Sequence, residues 1–442
     1  MAEDGEQSAA GGANVVADGV GQTAVCRGGG QPGCHRDMKT PEVLFIESNT
    51  SGTGRIFARM ARECGYRPVV FAESPSRYSF LQQDEVECVT CETSSLPRLM
   101  DAVGERSREA RVAGIFSSSE YFIHTAAQLA QEYGLPAPDA EALQQCRNKW
   151  RQRTLLHNAG FHAPKFQLAH SMEEGQAALD RVPLPVVLKP LFGSGSFGVR
   201  LCKTRAEVAE HGNFLLHRTE NERGIPTPPE FLVEEYMVGP EFSVEGFNGK
   251  AVGITRKHVS GEPFFVELGH DFPAVLPPET AAHIVEVTEA ALKKMRLTWG
   301  PVHVELRLTE KGAAIIEINP RLAGGFIPEI VRLAYGVDLV KATLMLAAGE
   351  APEMAVDGRR YASIRFITPR RDGGIHRIAG LDEARQTPGV SQAEMYAGAG
   401  ERIKVQHDFR DRMGHVIACG ETAAAAMVAE AALAKIDVQM KE

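Results

Sequence analysis

The sequence predicts a protein of mixed α/β and α+β modules, and three observations support this fold class. Buried strands alternate with helices from residue 43 to residue 133, which is typical of a parallel sheet with both faces covered. Paired runs of alternating apolar residues around 301–328 indicate an antiparallel hairpin. The chain has 442 residues, and a prior of about 150 residues per domain suggests three modules.

The domain boundaries follow from changes in composition along the chain. Residues 1–38 are rich in Gly, Ala and small polar residues, so we expect a disordered N-terminal tail there. Met38 directly precedes the first strand and is a candidate natural start. The other expected divisions are an N-terminal α/β domain at 39–138, a central domain at 139–350 and a small C-terminal α+β cap at 351–442.

Charge and composition exclude several classes of partner. A net charge of -9 provides no general attraction to nucleic acid or to anionic membranes, although a local pocket can still bind small anions. The sequence contains no run of about 18 apolar residues and no N-terminal signal pattern. Cys88 and Cys91 form a lone Cys-x-x-Cys, for which reduced thiols are favoured over a zinc or redox role. We therefore expect a cytoplasmic protein.

The first module is predicted from strands and helices in strict alternation. Its expected strands are 43–46, 68–71 and 112–116, and its expected helices are 55–64 and 119–133. The loop at 51–54 lacks both the Gly-x-Gly-x-x-Gly pattern and the Lys-Ser/Thr of a P-loop. A tight turn is the favoured interpretation of this loop, and a substrate contact is the second.

The central module is predicted to begin with a helix. Pro138 and Asp139 form an N-terminal cap for a helix that continues to Asn158 and stops before Gly160. Lys149 lies within this helix, where a lone lysine is ordinarily a solvated surface charge.

A glycine-rich loop follows. The strand at 185–190 ends with Lys189, the loop 193–198 contains three glycines, and a second strand begins at residue 199. A glycine loop that joins two strands is not a Walker loop, and we interpret it as a hairpin flap whose amides fold over phosphates. The alternative is an ordinary glycine turn.

The segment 231–245 consists of a strand, a Gly-Pro turn and a second strand. Backbone groups at the end of such a strand are suited to reading a purine base by main-chain hydrogen bonds. An ordinary hairpin is the alternative. In the next strand, 251–259, Arg256, Lys257 and His258 are placed to face phosphate or substrate.

The alternating runs 302–308 and 313–318 predict a hairpin with Gly312 at its left-handed position. A three-residue loop at 310–312 would place Glu305 opposite Glu317. It would also place His303 opposite Asn319. The residues expected on the core side are Val304, Leu306, Leu308, Ala314, Ile316 and Ile318.

Glu305 and Glu317 would have Cβ atoms roughly 5 Å apart, so their charges would repel. Such a pair is stable only if a cation lies between the side chains or if one carboxylate is protonated. Two carboxylates and the amide of Asn319 are hard oxygen ligands that suit Mg²⁺. Arg321 follows and can meet anionic charge near the metal. The alternative is a surface hairpin with scattered charge.

Beyond Arg321, Gly324 and Gly325 would let the backbone approach a ligand closely. A helix at 327–335 follows, whose N-terminus would favour an anionic group. The C-terminal cap is expected to contain a strand at 361–369, a short helix at 380–387 and a strand from 416 leading into a helix that ends near 436. No chemical constellation is visible in the cap.

The ordered set Glu305, Glu317, Asn319 and Arg321 closely resembles the metal-binding hairpin of the ATP-grasp superfamily. The segment around Lys149 and the flap after Lys189 resemble its first ATP-contacting lysine and its phosphate flap. The similarity to amino-acid ligases of this superfamily extends over about residues 43–438. It implies an ATP-grasp fold with an N-terminal parallel-sheet domain, a central two-lobed ATP-binding domain and the C-terminal cap.

The resemblance also implies roles for individual residues. Glu235 and Met237 would contact adenine through the backbone, Glu234 would contact the amino group or ribose, and Glu241 the ribose. The implied ATP-binding residues are Lys149, Lys189, Ser194, Ser196, Phe197, Glu234, Glu235, Tyr236, Met237 and Glu241. The implied substrate-binding residues are Glu267, His270, Arg321, Gly324 and Gly325, of which Glu267 would hold an ammonium group. Arg321 and Lys189 would be catalytic, and Glu305, Glu317 and Asn319 would bind metal.

The implied function is that of an ATP-dependent carboxylate–amine ligase. It would join two amino acids, or a related acid and amine, through an acyl phosphate with release of ADP and phosphate. The implied cofactors are ATP and two Mg²⁺ ions, for which Mn²⁺ can substitute. A homodimer is usual in the family. The alternatives are an ATP-grasp carboxylase that acts through carboxyphosphate and a non-catalytic nucleotide-binding regulatory module.

Overall fold

The computed structural model describes residues 40–50, 53–193, 195–221 and 224–441. Three predictions therefore lie outside the described residues: the disordered tail at 1–38, the Ser51 and Gly52 part of the first loop, and Ser194 in the flap. Within the described ranges, no helix is long and apolar enough to cross a membrane.

The N-terminal part folds around a four-stranded parallel sheet, as the alternation of strands and helices predicted. The elements in chain order are β1 (Glu42–Ile46), α1 (Thr53–Glu63), β2 (Arg67–Ala72), α2 (Ser79–Gln83), β3 (Glu87–Thr90), α3 (Leu96–Glu109), β4 (Val112–Phe116) and α4 (Ile123–Glu132). The strand order is β3-β2-β1-β4, so β1 lies between two neighbours and is buried along its whole length. The segment after β4 therefore emerges beside the end of the central strand.

The edge strand β3 was not predicted because it is short and only partly buried. It contains Cys88, and Cys91 follows it. Burial, with a smaller effect of Glu47, raises the pKa of each thiol to about 11. Both thiols are therefore protonated near neutral pH and are weak nucleophiles.

The predicted single helix from 138 to 158 is wrong, because the chain forms two helices: α5 (Ala140–Arg147) and α6 (Lys149–Asn158). The break is at Asn148, which has extended backbone angles and accepts a hydrogen bond from the Arg151 amide at 3.0 Å. Asparagine is a strong N-cap, so it begins a helix better than it continues one. The break makes Lys149 the first residue of α6, where its side chain is buried instead of solvated.

A second, antiparallel sheet of four strands forms the smaller lobe. Its elements are β5 (Phe166–Ala169), α7 (Met172–Ala178), β6 (Val186–Lys189), β7 (Arg200–Cys202), α8 (Arg205–Leu216) and β8 (Phe231–Glu235). The strand order is β5-β8-β6-β7, and apolar residues of α7 and α8 share one core with the sheet. The glycine flap joins β6 to β7 at one end of this lobe.

The chain enters and leaves the small lobe at adjacent points. The Glu235 amide, at the end of β8, donates to the Lys165 carbonyl, just before β5, at 2.8 Å. In return, the Lys165 amide donates to the Glu235 carboxylate at 3.2 Å. Residues 165–235 therefore form an insertion whose two ends are hydrogen-bonded to each other.

The largest sheet has eight antiparallel strands, in the order β13-β12-β9-β10-β11-β14-β18-β16. The first part of the chain that forms this sheet contains the strands β9 (Glu241–Phe247), β10 (Lys250–Val259), β11 (Glu267–Phe272), β12 (Pro301–Thr309) and β13 (Gly312–Asn319). The helices of the same part are α9 (Pro278–Lys294), α10 (Ile327–Tyr335) and α11 (Leu339–Ala347). The predicted helix at 327–335 is confirmed as α10.

The C-terminal residues extend this sheet. Their elements are β14 (Tyr361–Ile367), β15 (Gly373–Ala379), α12 (Leu381–Arg385), β16 (Val390–Met395), β17 (Arg402–Ile403), β18 (Gly414–Gly420), α13 (Ala425–Leu433) and β19 (Asp437–Lys441). β14 pairs with β11, whereas β17, β15 and β19 form a separate small sheet. The predicted domain boundary near residue 350 is thus crossed by a continuous sheet, and the division into domains stays a prediction.

At the end of the hairpin that carries Glu305 and Glu317, β12 and β13 pair as predicted. The turn that joins the two strands differs from the prediction. Thr309 pairs with Gly312, so the turn has two residues instead of three, and a bulge between Glu305 and Leu306 restores the register. Glu305 therefore faces Glu317, and His303 faces Asn319.

The core side of this hairpin was predicted wrongly at two positions. Beyond the bulge, Leu306 pairs with Ile315 and Leu308 with Ala313, and these residues share the apolar cluster beneath the hairpin. Ala314 and Ile316 were expected in that cluster. The bulge places Ile316 in the cleft instead. A one-residue irregularity exchanges the faces of a strand, because successive side chains alternate.

β8 and β9 do not pair with each other, so the ordinary-hairpin alternative for 231–245 is wrong. β8 belongs to the small lobe and β9 to the large sheet, and residues 236–240 connect the two. Gly239 in this connection has φ +146°, and a Cβ there would lie 2.1 Å from the Leu308 carbonyl oxygen. Only glycine fits such a close approach of two backbones.

Replacing Gly239 by Ala should lower the free energy of unfolding by about 2 kcal/mol, because the added methyl group collides with the backbone and the positive φ is strained. Urea denaturation followed by circular dichroism measures this change. Gly261→Ala is the matched control, since a Cβ at Gly261 meets nothing within 4 Å. Equal stability of the two variants would contradict the prediction.

Candidate active site

A cleft lies between the small lobe and the large sheet, and most of the predicted site residues line it. The predicted residues that line the cleft are Lys149, Lys189, Ser196, Phe197, Glu234, Glu235, Tyr236, Met237, Glu241, Glu267, Glu305, Glu317, Asn319 and Arg321. Three predicted substrate residues, His270, Gly324 and Gly325, are not among the lining residues. Residues from five separate parts of the chain thus meet in one place.

Lys149 connects the hairpin of β12 and β13 to the flap. Its Nζ lies 3.0 Å from Glu317 Oε1 and donates to the Gly193 carbonyl at 2.8 Å. Burial by itself would lower the pKa of Lys149, but the Glu317 and Glu120 carboxylates raise it above its ordinary value. The lysine is therefore charged.

Lys189 and Glu234 form the centre of a buried ionic cluster in the small lobe. Lys189 Nζ lies 2.6 Å from Glu234 Oε2, and Arg153 Nε lies 3.0 Å from Glu234 Oε1. Burial would raise the pKa of Glu234, but the two cations lower it. Both oxygens of Glu234 thus face protein cations, and its predicted contact with the base or ribose stays a prediction.

Replacing Glu234 by Ala should destabilise the protein by about 3 kcal/mol, because the change leaves two buried cations without their shared carboxylate. Chemical denaturation with a fluorescence readout measures the loss. Glu230→Ala, at a partly exposed carboxylate in the same lobe, serves as the control and should change stability by under about 0.5 kcal/mol. A comparable loss in both variants would contradict this account of Glu234.

Lys257 on β10 is surrounded by three carboxylates. Its Nζ lies 2.7 Å from Glu305, 2.9 Å from Glu241 and 2.9 Å from Glu267. The ammonium group is buried, which by itself would lower its pKa, yet the three carboxylates raise that pKa well above its ordinary value. Lys257 was predicted only to face phosphate or substrate, and this central position was missed.

Lysines already neutralise the two carboxylates that were expected to repel. Lys257 contacts Glu305 and Lys149 contacts Glu317, so the repulsion argument does not by itself require a metal. The donor set nevertheless fits Mg²⁺, because Glu305, Glu317 and Asn319 present hard oxygen atoms to the same cleft. Among the described residues, no group of three or more His, Cys, Asp or Glu side chains could hold a metal alone. A metal ion held by Glu305, Glu317 and Asn319 would need further oxygen ligands, which phosphate or water can provide.

His303 supports Glu305 from below. Its Nδ1 lies 3.0 Å from Glu245 and its Nε2 lies 3.4 Å from Glu305. Burial would lower the pKa of His303, but these two carboxylates raise it to about 9. The imidazolium is therefore positioned to orient Glu305 toward the cleft.

Arg321 forms a bond to the N-terminal sheet that the sequence pattern did not reveal. Its Nη2 and Nε lie 2.6 Å and 2.9 Å from Glu120 Oε2, and Glu120 follows β4. Burial would lower the pKa of Arg321, but Glu120 raises it. The two residues are 201 positions apart, so only the fold brings them together.

The segment after β8 is held by Arg307, another residue that was missed. Arg307 Nη1 donates to the Met237 carbonyl at 2.9 Å, and Nη2 lies 3.1 Å from Glu241. Its guanidinium lies 5.3 Å from the centre of the Tyr236 ring. The signal available in the sequence was its position two residues after Glu305 in an alternating strand.

The predicted substrate residues lie around β11. Glu267 and His270 both belong to β11, a strand of the large sheet. Glu267 faces both Lys257 and Arg412. Its predicted contact with a substrate ammonium group would therefore compete with two protein cations.

His270 lies behind the cleft and not in it. The side chain is fully buried, and burial lowers its pKa to about 3, so the ring is neutral. A Cβ added at Gly325 would lie 2.7 Å from His270 Nε2. Gly325 thus permits close approach to a protein side chain here, whereas its predicted contact with a ligand stays a prediction.

Two family models match the chain. Residues 182–329 match the ATP-grasp domain, and residues 365–441 match the L-amino acid ligase C-terminal domain 2. The first match contains the flap, the connection after β8 and the hairpin of β12 and β13. The second contains β16, β18 and the end of β14, which extend the large sheet.

Individual proteins are also similar to this chain. The uncharacterized protein y4rH of Sinorhizobium fredii is 35% identical over 86% of this chain and 79% of its own length. Carnosine synthase 1 of Mus musculus is 30% identical over 58% of this chain, which spans 33% of that protein. The crystal structure of L-amino acid ligase from Bacillus licheniformis superimposes with a TM-score of 0.76 at 22% identity, covering 91% of this chain and all of that one.

Proposed function

Because this chain belongs to the ATP-grasp superfamily and carries an L-amino acid ligase C-terminal domain, we propose that it is an ATP-dependent carboxylate–amine ligase. The observation that carries the proposal is the convergence of Glu305, Glu317, Asn319, Lys189 and Arg321 on one cleft. These side chains can bind a nucleoside triphosphate and stabilise a reacting carboxylate in the same cleft. No covalent protein nucleophile is required.

Each residue has a task in this reaction. Glu305, Glu317 and Asn319 would hold Mg²⁺, which neutralises charge on the terminal phosphates of ATP when bound. Lys149 and Lys189 offset further phosphate charge, and the flap excludes water. Arg321, fixed by Glu120, faces the acid substrate and stabilises the negative charge that develops during acyl transfer.

The proposed reaction has two steps, phosphorylation of the acid and attack by the amine. A carboxylate oxygen of the acid substrate takes the γ-phosphoryl group of ATP, the bond from that group to ADP breaks, and ADP leaves. The amine nitrogen of the second substrate then attacks the acyl carbon, a C–N bond forms, and phosphate leaves while the nitrogen loses a proton. We propose that both substrates are amino acids, because the similar proteins include a carnosine synthase and an L-amino acid ligase.

Several finer points remain predictions from the family resemblance. They are the use of two Mg²⁺ ions, the substitution by Mn²⁺, the homodimer and the role of each binding residue. This chain spans about a third of the carnosine synthase it matches, so the substrates of that larger protein do not transfer directly.

Phosphate release from ATP and Mg²⁺ tests the function. The purified protein is incubated with single amino acids and with pairs of amino acids, and the products are identified by mass spectrometry. Release that requires a pair and yields their condensed mass supports the ligase. Release with bicarbonate alone would favour the carboxylase instead, and ATP binding without turnover across a broad panel of acids and amines would favour the regulatory module.

A further inference from the structure

A short C-terminal segment contacts the glycine flap and Glu267, both of which line the cleft. Residues 407–412, here called the latch segment, lie between β17 and β18. The sequence showed no chemical pattern in this part of the chain. Its side chains and backbone nevertheless contact the flap, the loop before β11 and Glu267 of the cleft.

The contact with the flap centres on Phe409. The Phe409 amide donates to the Gly195 carbonyl at 3.2 Å. A Cβ added at Gly195 would lie 2.4 Å from Cδ1 of the Phe409 ring, so the ring lies directly against the flap backbone. The neighbouring Arg410 guanidinium lies 4.9 Å from the centre of the Phe197 ring. Two consecutive latch residues thus hold two described flap residues.

The latch segment also holds the loop on which the flap rests. The His407 ring stacks on Phe264 with 4.0 Å between centroids and 7° between planes. The next loop residue, Phe265, accepts a hydrogen bond from Ser196 of the flap at 3.2 Å through its carbonyl. At the other end of the latch segment, Arg412 pairs with Glu267. The flap therefore contacts a loop that the latch segment also contacts.

The latch segment is itself rigidly built. Asp408 accepts hydrogen bonds from the Arg410 amide and from Arg410 Nε, both at 2.9 Å. Asp411 accepts from the amides of Gln406 and His407 at 2.7 and 2.8 Å. Both aspartates are nearly fully buried, whereas the Phe409 side chain remains 37% exposed. A preorganised turn that presents a half-exposed aromatic ring to the flap is suited to contact, not to core packing.

We propose that the latch segment is a positioning element of the reaction, in which Phe409 holds the glycine flap closed over bound nucleotide. This inference rests on the proposed function. A closed flap keeps water from the activated substrate until the amine arrives, so it couples ATP cleavage to amide formation. Phe409 touches neither reacting atom and acts through the flap.

Phe409→Ala tests the proposal through two kinetic readouts. We expect the KM for ATP to rise about tenfold and the phosphate released per amide formed to rise above one, because an open flap admits water. Met427→Ala is the control, since Met427 is an exposed apolar side chain on α13, away from the cleft. A purely structural role would lower the amount of active enzyme without changing the ratio of phosphate to amide.

Hydrogen exchange of the flap provides a readout that does not depend on turnover. Amides of peptides covering residues 191–200 should exchange faster in Phe409→Ala than in the wild type, with no change in Met427→Ala. If the wild type shows no ligase activity, the proposed function fails while this measurement still tests the latch. Unchanged flap exchange in Phe409→Ala would overturn the latch.

A double-mutant cycle with Gly195→Ala tests the contact itself. The added Cβ collides with the Phe409 ring, and Phe409→Ala removes the atom that lies 2.4 Å away. The strain from φ +62° at Gly195 is common to both backgrounds and cancels in the cycle. Gly195→Ala should therefore raise the KM for ATP less in the Phe409→Ala background than in the wild type. Additive effects would overturn the proposed contact.

Discussion

Replacing Glu317 by Gln is expected to lower kcat for amide formation about a thousandfold while the protein stays folded. The amide keeps the shape of the side chain but removes the negative charge that faces Glu305 across the hairpin. The change replaces the charged carboxylate proposed to bind Mg²⁺ by a neutral amide and removes the ion-pair partner of Lys149, so the terminal phosphates lose stabilisation from two directions. Steady-state phosphate release at saturating ATP measures the loss.

Glu329→Gln is the control for the Glu317 variant. Glu329 forms an ion pair with Arg332 on the surface of α10, and its loss should leave kcat within about twofold. Titration with Mg²⁺ adds a second readout, since the concentration needed for half-maximal activity should rise in Glu317→Gln only. Retention of more than a tenth of the wild-type kcat at saturating Mg²⁺ would show that Glu317 is not a metal ligand.

Replacing Arg321 by Ala is expected to lower kcat by about a thousandfold and to leave the affinity for ATP within about twofold. The guanidinium lines the cleft, where we propose that it faces the acid substrate, and it is held by two hydrogen bonds to Glu120. An interaction made only as charge develops on the acyl group affects kcat and not nucleotide binding. Equilibrium binding of ATP and single-turnover kinetics separate the two effects.

Glu120→Gln distinguishes the position of Arg321 from its charge. The arginine stays charged in this variant but loses a charged partner, so we expect kcat to fall about tenfold. Arg332→Ala, on the exposed face of α10, should have no such effect. If Arg321→Ala raised the KM for ATP and left kcat unchanged, Arg321 would bind nucleotide phosphate instead of the acid substrate.

The polar hairpin could be predicted from the sequence because its information is local. The alternation of residues and one glycine predict Glu305 opposite Glu317. The turn is one residue shorter than predicted, and the unpredicted bulge adds one residue back, so the two errors cancel at this pair. The errors do not cancel further along, where Ile316 faces the cleft instead of the core. A bulge depends on what packs beneath both strands, and the pattern of a single strand does not contain that information.

The remaining partners could not be predicted because their contacts span long distances in the chain. Glu120 and Arg412 each contact a cleft residue from a different element, and no spacing rule links them to Arg321 or Glu267. The break at Asn148 is different, since an asparagine before a new helical turn is a local capping signal. This signal predicts Lys149 at the start of a helix, whereas its burial depends on contacts with Gly193 and Glu317.

The paired bonds between Lys165 and Glu235 have an evolutionary consequence. A lobe whose two ends meet within hydrogen-bonding distance can be inserted into, or removed from, a host fold without displacing the host strands. Residues 165–235 therefore have the geometry of a cassette. Exchange of this lobe as one unit would leave intact the eight-stranded sheet, which carries the hairpin of β12 and β13 and the C-terminal strands.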